Sequence, residues 1–531
     1  MGYKEAKEGF VSGQEGGTVT RINAVCLTAI TSYALWTVVS RSYLDRAQRT
    51  RPPWQLAVVD FALLVVPLVL ALTVLSSRPF ALNASIVVVT LVLHLNPPRS
   101  DDPPLSPMPD KVPRSFSFPP LSPAKPVSSS NPKDRLFSKP FITSYRAIMM
   151  VMTVICILAV DFPVYPREFA KAETWGTSVM DLGVGSFVFS LGVVSALPLL
   201  RQMELRPYFI SVSNSLKRSV PIIVLGLVRV AMVKGVDYPE HVTEYGVHWN
   251  FFFTMALIPV FGAALERLST RIDLHWVGLI VSCLHQATLS GTALQSWTLD
   301  AARTSLVSQN KEGLVSFPGY LAIHVLGVAT GLYVLPPDPS YHSLRHLVID
   351  RSTRPEVAQR LRDKRANALG KDKPVKVAEV LGSYATANLT YVLWVVAFNT
   401  TFLFLYLVID LVANRGSSSP SNSKHHRPFP PFDSATSSSS SPNPAIPSSS
   451  STRIGLDSSF VDEPLGAPAL FEAINKNGLV VFLVANVLTG LINVSIETMY
   501  SSDFVALVVL GSYLSVVLGI AWVLRDKRIK I

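Results

Sequence analysis

Long apolar stretches recur along the chain, each with the roughly 17 to 25 residues that a helix needs to cross a hydrocarbon core of about 30 Å. They lie near 22–40, 54–76, 79–95, 141–161, 177–200, 216–234, 249–266, 273–291, 316–335, 386–410, 478–498 and 503–524. Only 16% of the 531 residues are charged, against roughly 25% in soluble domains. The sequence therefore predicts an all-α, polytopic helical membrane protein with about 12 or 13 transmembrane helices, and it excludes an ordinary soluble enzyme.

Three polar inserts divide the apolar spans. Those at 96–138 and 411–470 are rich in Pro and Ser, and we expect disordered loops because they hold too little apolar surface to fold alone. The third, 338–385, is strongly basic and is predicted to be a cytosolic loop with a surface helix. The remaining units are the lumenal N-terminal segment with the first three spans (1–95), the core spans with lumenal catalytic loops (139–337), one span (386–410), and the last spans with a basic tail (471–531).

Positive charge collects in alternate loops. The net charge is +11, and because Lys and Arg lie in short loops rather than on one helix face, membrane topology explains it better than a nucleic-acid partner. The positive-inside rule places four segments in the cytosol: 41–53, 96–138, 201–218 and 338–385. It places the N-terminus and four others on the opposite side: 162–176, 235–247, 292–315 and 411–470. With twelve spans the basic tail RDKRIKI falls on the wrong side, so either a thirteenth span exists or the tail breaks the rule.

Ionisable residues at the membrane level are the candidates for chemistry, because an unpaired charge there is costly. Asp161 ends one span, and Asp181 lies about a turn inside the next. Arg167 and Lys171 lie on the short connection between them, which two prolines break. We expect Asp161 and Lys171 to lie near one another at the lumenal face, where carboxylate and ammonium shift each other's pKa. A charge-paired turn without chemistry is the alternative.

Two further polar clusters are predicted at the same lumenal level. His248 and Asn250 precede an aromatic-rich span, where His248 could act as a general base or simply as a hydrogen-bonding interface residue. With His241 and Glu244, His248 also has a spacing that could hold a metal ion, but this signal is weak in a polar loop, and no metal is predicted. Lys311 opens the span near 316–335, where it could face a lipid headgroup or belong to a capped helix entry.

Other polar residues lie inside apolar spans. Asn486 and Asn493 belong to a polar stripe of the span 478–498, and such stripes usually bond to neighbouring helices. Arg146, in the span 141–161, is a further candidate for substrate binding. The three cysteines, Cys26, Cys156 and Cys283, lie in apolar segments without metal-ligand spacing and are interpreted as packing residues.

Several long stretches carry a family resemblance. They are AVDFPVYPREFAKAETWGTSVMDLGVGSFVFS, GVDYPEHVTEYGVHWNFFF, NKEGLVSFPGYLAI, TANLTYVLWVVAFNTTF and NGLVVFLVANVLTGLINVSI. On these stretches the sequence resembles the glucosaminyl-phosphatidylinositol acyltransferases, a family with fungal members and an animal counterpart, PIG-W. The resemblance extends from YKEAKEGFVSG near the N-terminus to the last spans and leaves out the Pro/Ser inserts.

The resemblance implies an enzyme of the endoplasmic reticulum membrane, and it favours the thirteenth span. The implied reaction moves a fatty acyl group, typically palmitoyl, from acyl-CoA to an inositol hydroxyl of glucosaminyl-phosphatidylinositol, with no cofactor besides the donor. The family's proposed catalytic pair matches Asp161 and Lys171. Asp161 would take the hydroxyl proton, and Lys171 would stabilise the tetrahedral intermediate or orient Asp161. Glu168 stands where members often carry a second Arg, which leaves Arg167 or Lys171 for a substrate phosphate.

This interpretation names one catalytic pair and a set of substrate-binding candidates, and it has rivals. The candidates are Arg146, Arg167, Asp181, His248, Asn250, Lys311 and Asn486. The expected partners are the acceptor lipid, acyl-CoA and membrane lipid, without nucleic acid. A lipid transporter or flippase is the alternative, because polar residues at the membrane level also mark permeation paths, although the sequence has no convincing internal repeat of the kind that transporters show. A noncatalytic subunit of the same pathway is the third possibility.

Overall fold

The computed structural model describes residues 6–7, 9–10, 13–44, 53–96, 139–173, 176–201, 208–235, 245–265, 268, 272–336, 387–414 and 466–529. We number its α-helices in chain order: α1 Val19–Val39, α2 Pro53–Asp60, α3 Val66–Leu72, α4 Pro79–Leu95, α5 Pro140–Ala159, α6 Val179–Arg201, α7 Tyr208–Gly235, α8 Phe251–Leu265, α9 Leu274–Gly291, α10 Leu294–Asp300, α11 Leu306–Gln309, α12 Lys311–Val334, α13 Leu389–Asn414, α14 Ala469–Lys476, α15 Gly478–Ser495 and α16 Asp503–Val523. A π-helical turn, Phe61–Val65, joins α2 to α3.

Each predicted apolar span coincides with one of these helices, or with α2 and α3 together. Within the described ranges, eight helices are long and apolar enough to cross a membrane. The helices α9 and α10 meet at an angle of 72°, and the pair would be a ninth span if it is counted as one. α4 and α8 are apolar but shorter, and α7 is long but interrupted by Lys217, Arg218, Arg229 and Lys234. The predicted fold class, an all-α polytopic membrane protein, is confirmed.

Glycines allow α6 and α12 to pack closely at the centre of the bundle. A Cβ atom on Gly192 of α6 would overlap the carbonyl of His324 in α12. In the same way, a Cβ on Gly327 or Gly331 of α12 would overlap backbone carbonyls of α6. Because only glycine leaves this space free, the backbones of α6 and α12 can come into direct contact.

Hydrogen bonds around α15 show at which end of the bundle the basic tail lies. Just before α15, Asn475 donates to the carbonyl of Thr143 in the first turn of α5 (2.5 Å). Asn477 donates to the carbonyl of Leu524 in the tail (3.0 Å), and the last turns of α15 reach the opposite end of α5. The tail therefore lies where α5 begins. We call this the basic end and its opposite the lumenal end, following the positive-inside rule.

α13 runs from the lumenal end to the basic end. Near its start, Tyr391 donates to the carbonyl of Asp181 in the first turn of α6 (2.7 Å). Near its end, Asp410 accepts a hydrogen bond from Tyr33 in the second half of α1 (2.6 Å). This direction is opposite to the one that the alternation of twelve spans predicts.

The charge-based topology is corrected at two places. Lys139, just before α5, donates to the carbonyl of Val334 at the end of α12 (2.9 Å), so α12 ends at the basic end whereas α13 begins at the lumenal end. The end of α12 and the start of α13 therefore lie at opposite ends of the bundle, which the alternation of twelve spans does not allow. Residues 414 and 466 both lie at the basic end, which contradicts the lumenal placement of 411–470. The predicted disorder of the two Pro/Ser inserts and the predicted helix in 338–385 fall outside the described residues.

Candidate functional site

A cavity of about 920 Å³ lies among α1, α5, α6, α7, α8, α13 and α15. Its walls are mostly apolar, with six phenylalanines: Phe187, Phe251, Phe252, Phe398, Phe402 and Phe482. Of the described residues that line it, Lys171 and Arg229 are charged, and none is an Asp or Glu. A space of this kind suits a ligand with a long apolar part and an anionic or polar head.

The cavity follows α5 for most of its length. Tyr145 lines it near the basic end and Ile157 lines it near the lumenal end, a separation of about 18 Å along the helix axis. Two leaflets of lipid chains together fill a hydrocarbon core of about 30 Å, so that one chain spans about 15 Å. The cavity is therefore long enough for a fatty acyl chain.

Lys171 lies at the lumenal end of the cavity. Its side chain is half-buried, and its ammonium stands 5.0 Å from the centroid of the Tyr245 ring, which is a cation–π contact. The amide of the next residue, Ala172, donates to the carboxylate of Asp181 (3.3 Å). Asp181 is fully buried and is not among the lining residues, so it holds the backbone that carries Lys171.

Asp161 is buried in a closed network of four side chains. The ammonium of Lys7 lies 3.4 Å from one carboxylate oxygen of Asp161, and the Asn493 amide donates to the other (2.8 Å). Lys7 also donates to the Asn493 carbonyl oxygen (3.0 Å), and Thr498 donates to the same oxygen (3.3 Å). A cation that contacts Asp161 is thus Lys7, which the N-terminal segment carries back over the connection. The predicted pairing of Asp161 with Lys171 stays a prediction.

The Asp161 network adjoins the lumenal end of the cavity. Asp161 follows the lining residue Ile157 by one helical turn, and Asn493 lies between the lining residues Gly490 and Val494. Asp161 and Asn493 are not themselves among the lining residues. Lys171 therefore lines the cavity, while Asp161 lies just outside it.

Arg167 holds the connection between α5 and α6 in shape. All three of its guanidinium nitrogens donate to backbone carbonyls, with distances of 2.8 Å to Val160, 3.0 Å to Phe162 and 2.9 Å to Tyr165. The ring of Phe10 stacks on it at 4.2 Å. Burial lowers the pKa of this guanidinium from its ordinary value. Arg167 therefore braces the loop, and the donors that were predicted to bind a phosphate are engaged by the chain itself.

The N-terminal segment crosses this connection and is fixed to it. Arg21 forms an ion pair with Glu168 (2.8 Å), so the glutamate that departs from the family pattern has a partner within the chain. Gly17 pairs with Thr177 in an isolated antiparallel β-bridge. A Cβ atom on Gly16 would overlap the backbone of Thr177, so only glycine permits this approach. These contacts bring Lys7 to Asp161.

The cluster around His248 and Asn250 has a structural role at the same end. The side-chain carbonyl of Asn310 accepts hydrogen bonds from the amides of His248 and Trp249, both at 2.8 Å. Asn250 donates to the carbonyl of Gly226 in α7 (3.0 Å) and accepts from an amide in the first turn of α8. Asn250 lines the cavity and His248 does not. The predicted role of both in binding substrate stays a prediction.

Lys311 is turned into the protein rather than toward a headgroup. It is 2% exposed, and its ammonium donates to the carbonyls of Ala301 (2.6 Å) and Trp297 (3.5 Å). Beside it, Glu312 receives two hydrogen bonds from Arg303 (2.5 and 3.0 Å). These contacts anchor the start of α12, so the geometry favours the capped helix entry that the sequence left as an alternative.

The other two candidates differ in position. Asn486 lines the cavity, although its amide donates to the carbonyl of Phe482 in its own helix (2.7 Å). Arg146 is half-buried on α5 and is not among the lining residues. The contact that we expected between the polar stripe of α15 and its neighbours is present at Asn493.

Lys7 is the residue that the sequence analysis missed. The signal was the run YKEAKEGFVSG, which shared the resemblance although it lies outside the apolar spans. Nothing in the local pattern indicates that its second lysine reaches Asp161.

Metal binding finds no support in the described ranges. They contain no group of three His, Cys, Asp or Glu side chains that could hold a metal ion. His241 and Glu244, which with His248 had the spacing of a ligand set, lie outside those ranges.

Comparisons with known proteins cover the whole arrangement. A family model described as GWT1 matches residues 3–524. The GPI-anchored wall transfer protein 1 of Aspergillus fumigatus is 38% identical over 545 residues, which cover 100% of this chain and 99% of the relative. Proteins of the same name from Gibberella zeae and Cryptococcus neoformans are 36% and 33% identical, with 100% of this chain and 98% and 100% of the relatives covered. The matched region includes both Lys7 and Asn493, and the chain belongs to the GWT1 family.

Proposed function

We propose that the protein is an O-acyltransferase of GPI-anchor biosynthesis in the endoplasmic reticulum membrane. It moves a palmitoyl-type acyl group from acyl-CoA to the inositol of glucosaminyl-phosphatidylinositol. The observation that carries the proposal is one apolar cavity, long enough for an acyl chain, whose lumenal end contains Lys171 and adjoins Asp161. The name of the relatives, GPI-anchored wall transfer protein 1, supports the pathway.

The acyl chain occupies the apolar part of the cavity in this mechanism. Its walls bury the chain among phenylalanines, three of which pack ring against ring: Phe187, Phe251 and Phe482. The thioester then lies at the lumenal end, within the region of Lys171. Because the chain is held along its length, the reacting carbon is fixed near the catalytic groups.

Asp161 is the proposed base. An inositol hydroxyl is a weak nucleophile and must lose its proton as it attacks the thioester carbon. Each carboxylate oxygen has two lone pairs, so Asp161 keeps accepting capacity beside its contacts to Lys7 and Asn493. The two contacts orient the carboxylate, while the proton that it takes comes from the attacking hydroxyl.

Lys171 is the proposed electrostatic partner. When the new C–O bond forms, the thioester oxygen becomes negatively charged, and a nearby ammonium stabilises that charge. The C–S bond then breaks, and the thiolate of CoA leaves with the proton that Asp161 accepted. The products are the acylated inositol lipid and CoA.

The test is acyl transfer by purified protein in phosphatidylcholine vesicles, with acyl-CoA and glucosaminyl-phosphatidylinositol supplied and the lipid product identified by mass spectrometry. Wild type should form the acylated lipid. Lys171→Met should form it at least about a hundredfold more slowly, as is typical when a charge-stabilising group is lost. Lys476→Met is the matched control, because Lys476 is exposed and bonds to the tail at the basic end.

Two results would count against the proposal. The absence of product from the folded wild-type protein with both substrates present would remove the acyltransferase assignment. Lipid movement between the leaflets without chemical change would favour the flippase alternative instead.

A further inference from the structure

The cavity has a lateral mouth between α7 and α15. On α15, three residues line the cavity and are also largely exposed: Val487 (65%), Leu491 (61%) and Val494 (76%). On α7, Val228 also lines the cavity and is 47% exposed. Residues that face both the cavity and the outer apolar surface mark an opening toward the bilayer.

Arg229 brings positive charge to this mouth. It lines the cavity beside Val228, and its side chain is exposed. Among the residues that the structure describes, none forms a hydrogen bond or ion pair with it. A charged side chain within a membrane-spanning helix is costly and usually marks a pathway or a binding site. Among the described residues that line the cavity there is no Asp or Glu, so none of them balances the charge of Arg229.

Arg229 lies at the same end of the cavity as Lys171. One turn before it, the carbonyl of Gly226 accepts the hydrogen bond from Asn250. Asn250 belongs to the segment that begins with Tyr245, whose ring contacts Lys171. Arg229 lies about 4.5 Å beyond Gly226 along α7, in the lumenal direction. Two cations therefore lie at the level where lipid headgroups meet the cavity.

We propose that Arg229 binds the phosphodiester of the acceptor lipid as this lipid enters from the bilayer between α7 and α15. The planar guanidinium can form paired hydrogen bonds with phosphate oxygens. The inositol is joined directly to that phosphate, so holding the phosphate at the mouth places the inositol at the lumenal end of the cavity. The identity of the lipid rests on the proposed function, whereas the phosphate site rests on Arg229 and the mouth.

The phosphates of acyl-CoA are the other source of the same chemistry. The lateral mouth favours the acceptor lipid. The exposed valines and leucine of the mouth form an apolar path, along which a lipid can enter while its own chains stay in the bilayer. Acyl-CoA has a large charged head and a single chain. Moving that head through a mouth that faces hydrocarbon would cost free energy.

Steady-state kinetics distinguishes the two sources. Arg229→Gln should raise the KM for glucosaminyl-phosphatidylinositol by about tenfold, the effect of one lost charge-assisted hydrogen bond, with the KM for acyl-CoA unchanged. Arg229→Lys should fall between, because it keeps the charge but loses the paired geometry. Arg218→Gln is the matched control, since Arg218 is exposed on the same helix and does not line the cavity. A rise in the KM for acyl-CoA alone would overturn the proposal.

A binding measurement keeps this proposal separate from the acyltransferase assignment. Each protein is incubated with vesicles of phosphatidylcholine and phosphatidylinositol without acyl-CoA, repurified, and analysed by native mass spectrometry for retained phosphatidylinositol. Wild type and Arg218→Gln should retain it, and Arg229→Gln should retain about tenfold less. Equal retention by Arg229→Gln would overturn the site. Loss of retention in Arg229→Gln, with no acyl transfer by wild type, would support the phosphate site and reject the acyltransferase.

Discussion

The ammonium of Lys7 lies 3.4 Å from the carboxylate of Asp161, and the two side chains are only 7% and 5% exposed. Lys7 also donates to Asn493, which in turn donates to Asp161. The proposed base is therefore positioned by the N-terminal segment and by α15 at once. Each partner contacts a different carboxylate oxygen, so the network is complete only when Lys7 and Asn493 are both in place.

Removing Lys7 alone should destabilise the protein. Lys7→Met leaves the buried Asp161 carboxylate without its cation, which typically costs about 3 to 5 kcal/mol. The double variant Lys7→Met/Asp161→Asn should recover part of this loss, because no buried charge remains. Thermal unfolding in detergent measures both, with Lys476→Met as the control. Equal unfolding midpoints for the single and double variants would show that the two charges are not coupled.

Lys311 should behave as a structural residue. Lys311→Met removes the donor to the carbonyls of Ala301 and Trp297 at a site that is 2% exposed. We expect a lower unfolding temperature, while the folded fraction keeps the wild-type KM for both substrates. A raised KM for the acceptor with normal stability would restore the headgroup-binding role predicted from the sequence.

The basic end of the cavity should determine which acyl-chain length the protein prefers. Phe402 lines the cavity and stacks on Phe398 with ring centroids 4.0 Å apart, close along α13 to Tyr406, which packs against Tyr145. Phe402→Ala should shift the product toward longer chains when donors of several lengths compete in one reaction. Phe404→Ala is the control, because Phe404 is 61% exposed and does not line the cavity. An unchanged product ratio would place the end of the acyl chain elsewhere.

The direction of α13 predicts the side of the loop that follows it. A glycosylation sequon introduced within 416–456 should remain unmodified, because residues 414 and 466 lie at the basic end with the cytosolic segments. A sequon placed on an extension before residue 6 should be modified, because the segment at 13–18 lies at the lumenal end. The gel mobility of each variant, compared before and after enzymatic deglycosylation, shows whether its sequon is modified. Modification within 416–456 would contradict the direction of α13.

The spans were predictable because the length and apolarity of a stretch are local properties of the sequence. All twelve predicted stretches correspond to helices. The directions of the spans were less accessible, because counting alternate loops gives α13 the wrong direction although its span was identified. The hydrogen bonds of Tyr391 and Asp410 establish the direction of α13, which the charge pattern of 338–385 did not predict correctly.

The candidate site was predictable in position but not in its pairings. Asp161 and Lys171 are conspicuous, because both lie at the edge of a membrane span. Sequence alone does not tell whether a cationic side chain faces a ligand or the protein's own carbonyls. Arg167 and Lys311 both donate to backbone carbonyls. Nor does it show that Lys7 meets Asn493, since 486 positions separate the two residues.

That separation has a consequence for biosynthesis. Lys7 leaves the ribosome before α1, whereas Asn493 and Thr498 follow only after α1 to α14 have been made. Until then the Lys7 amine and the Asp161 carboxylate lack their partners on α15 and after it, although the contacts of Arg21 and Gly17 can already hold the N-terminal segment on the connection. The proposed base therefore reaches its final geometry only when α15 is in place, and the same helix completes the wall of the cavity. The cavity and its ordered proton acceptor thus form in one step of assembly.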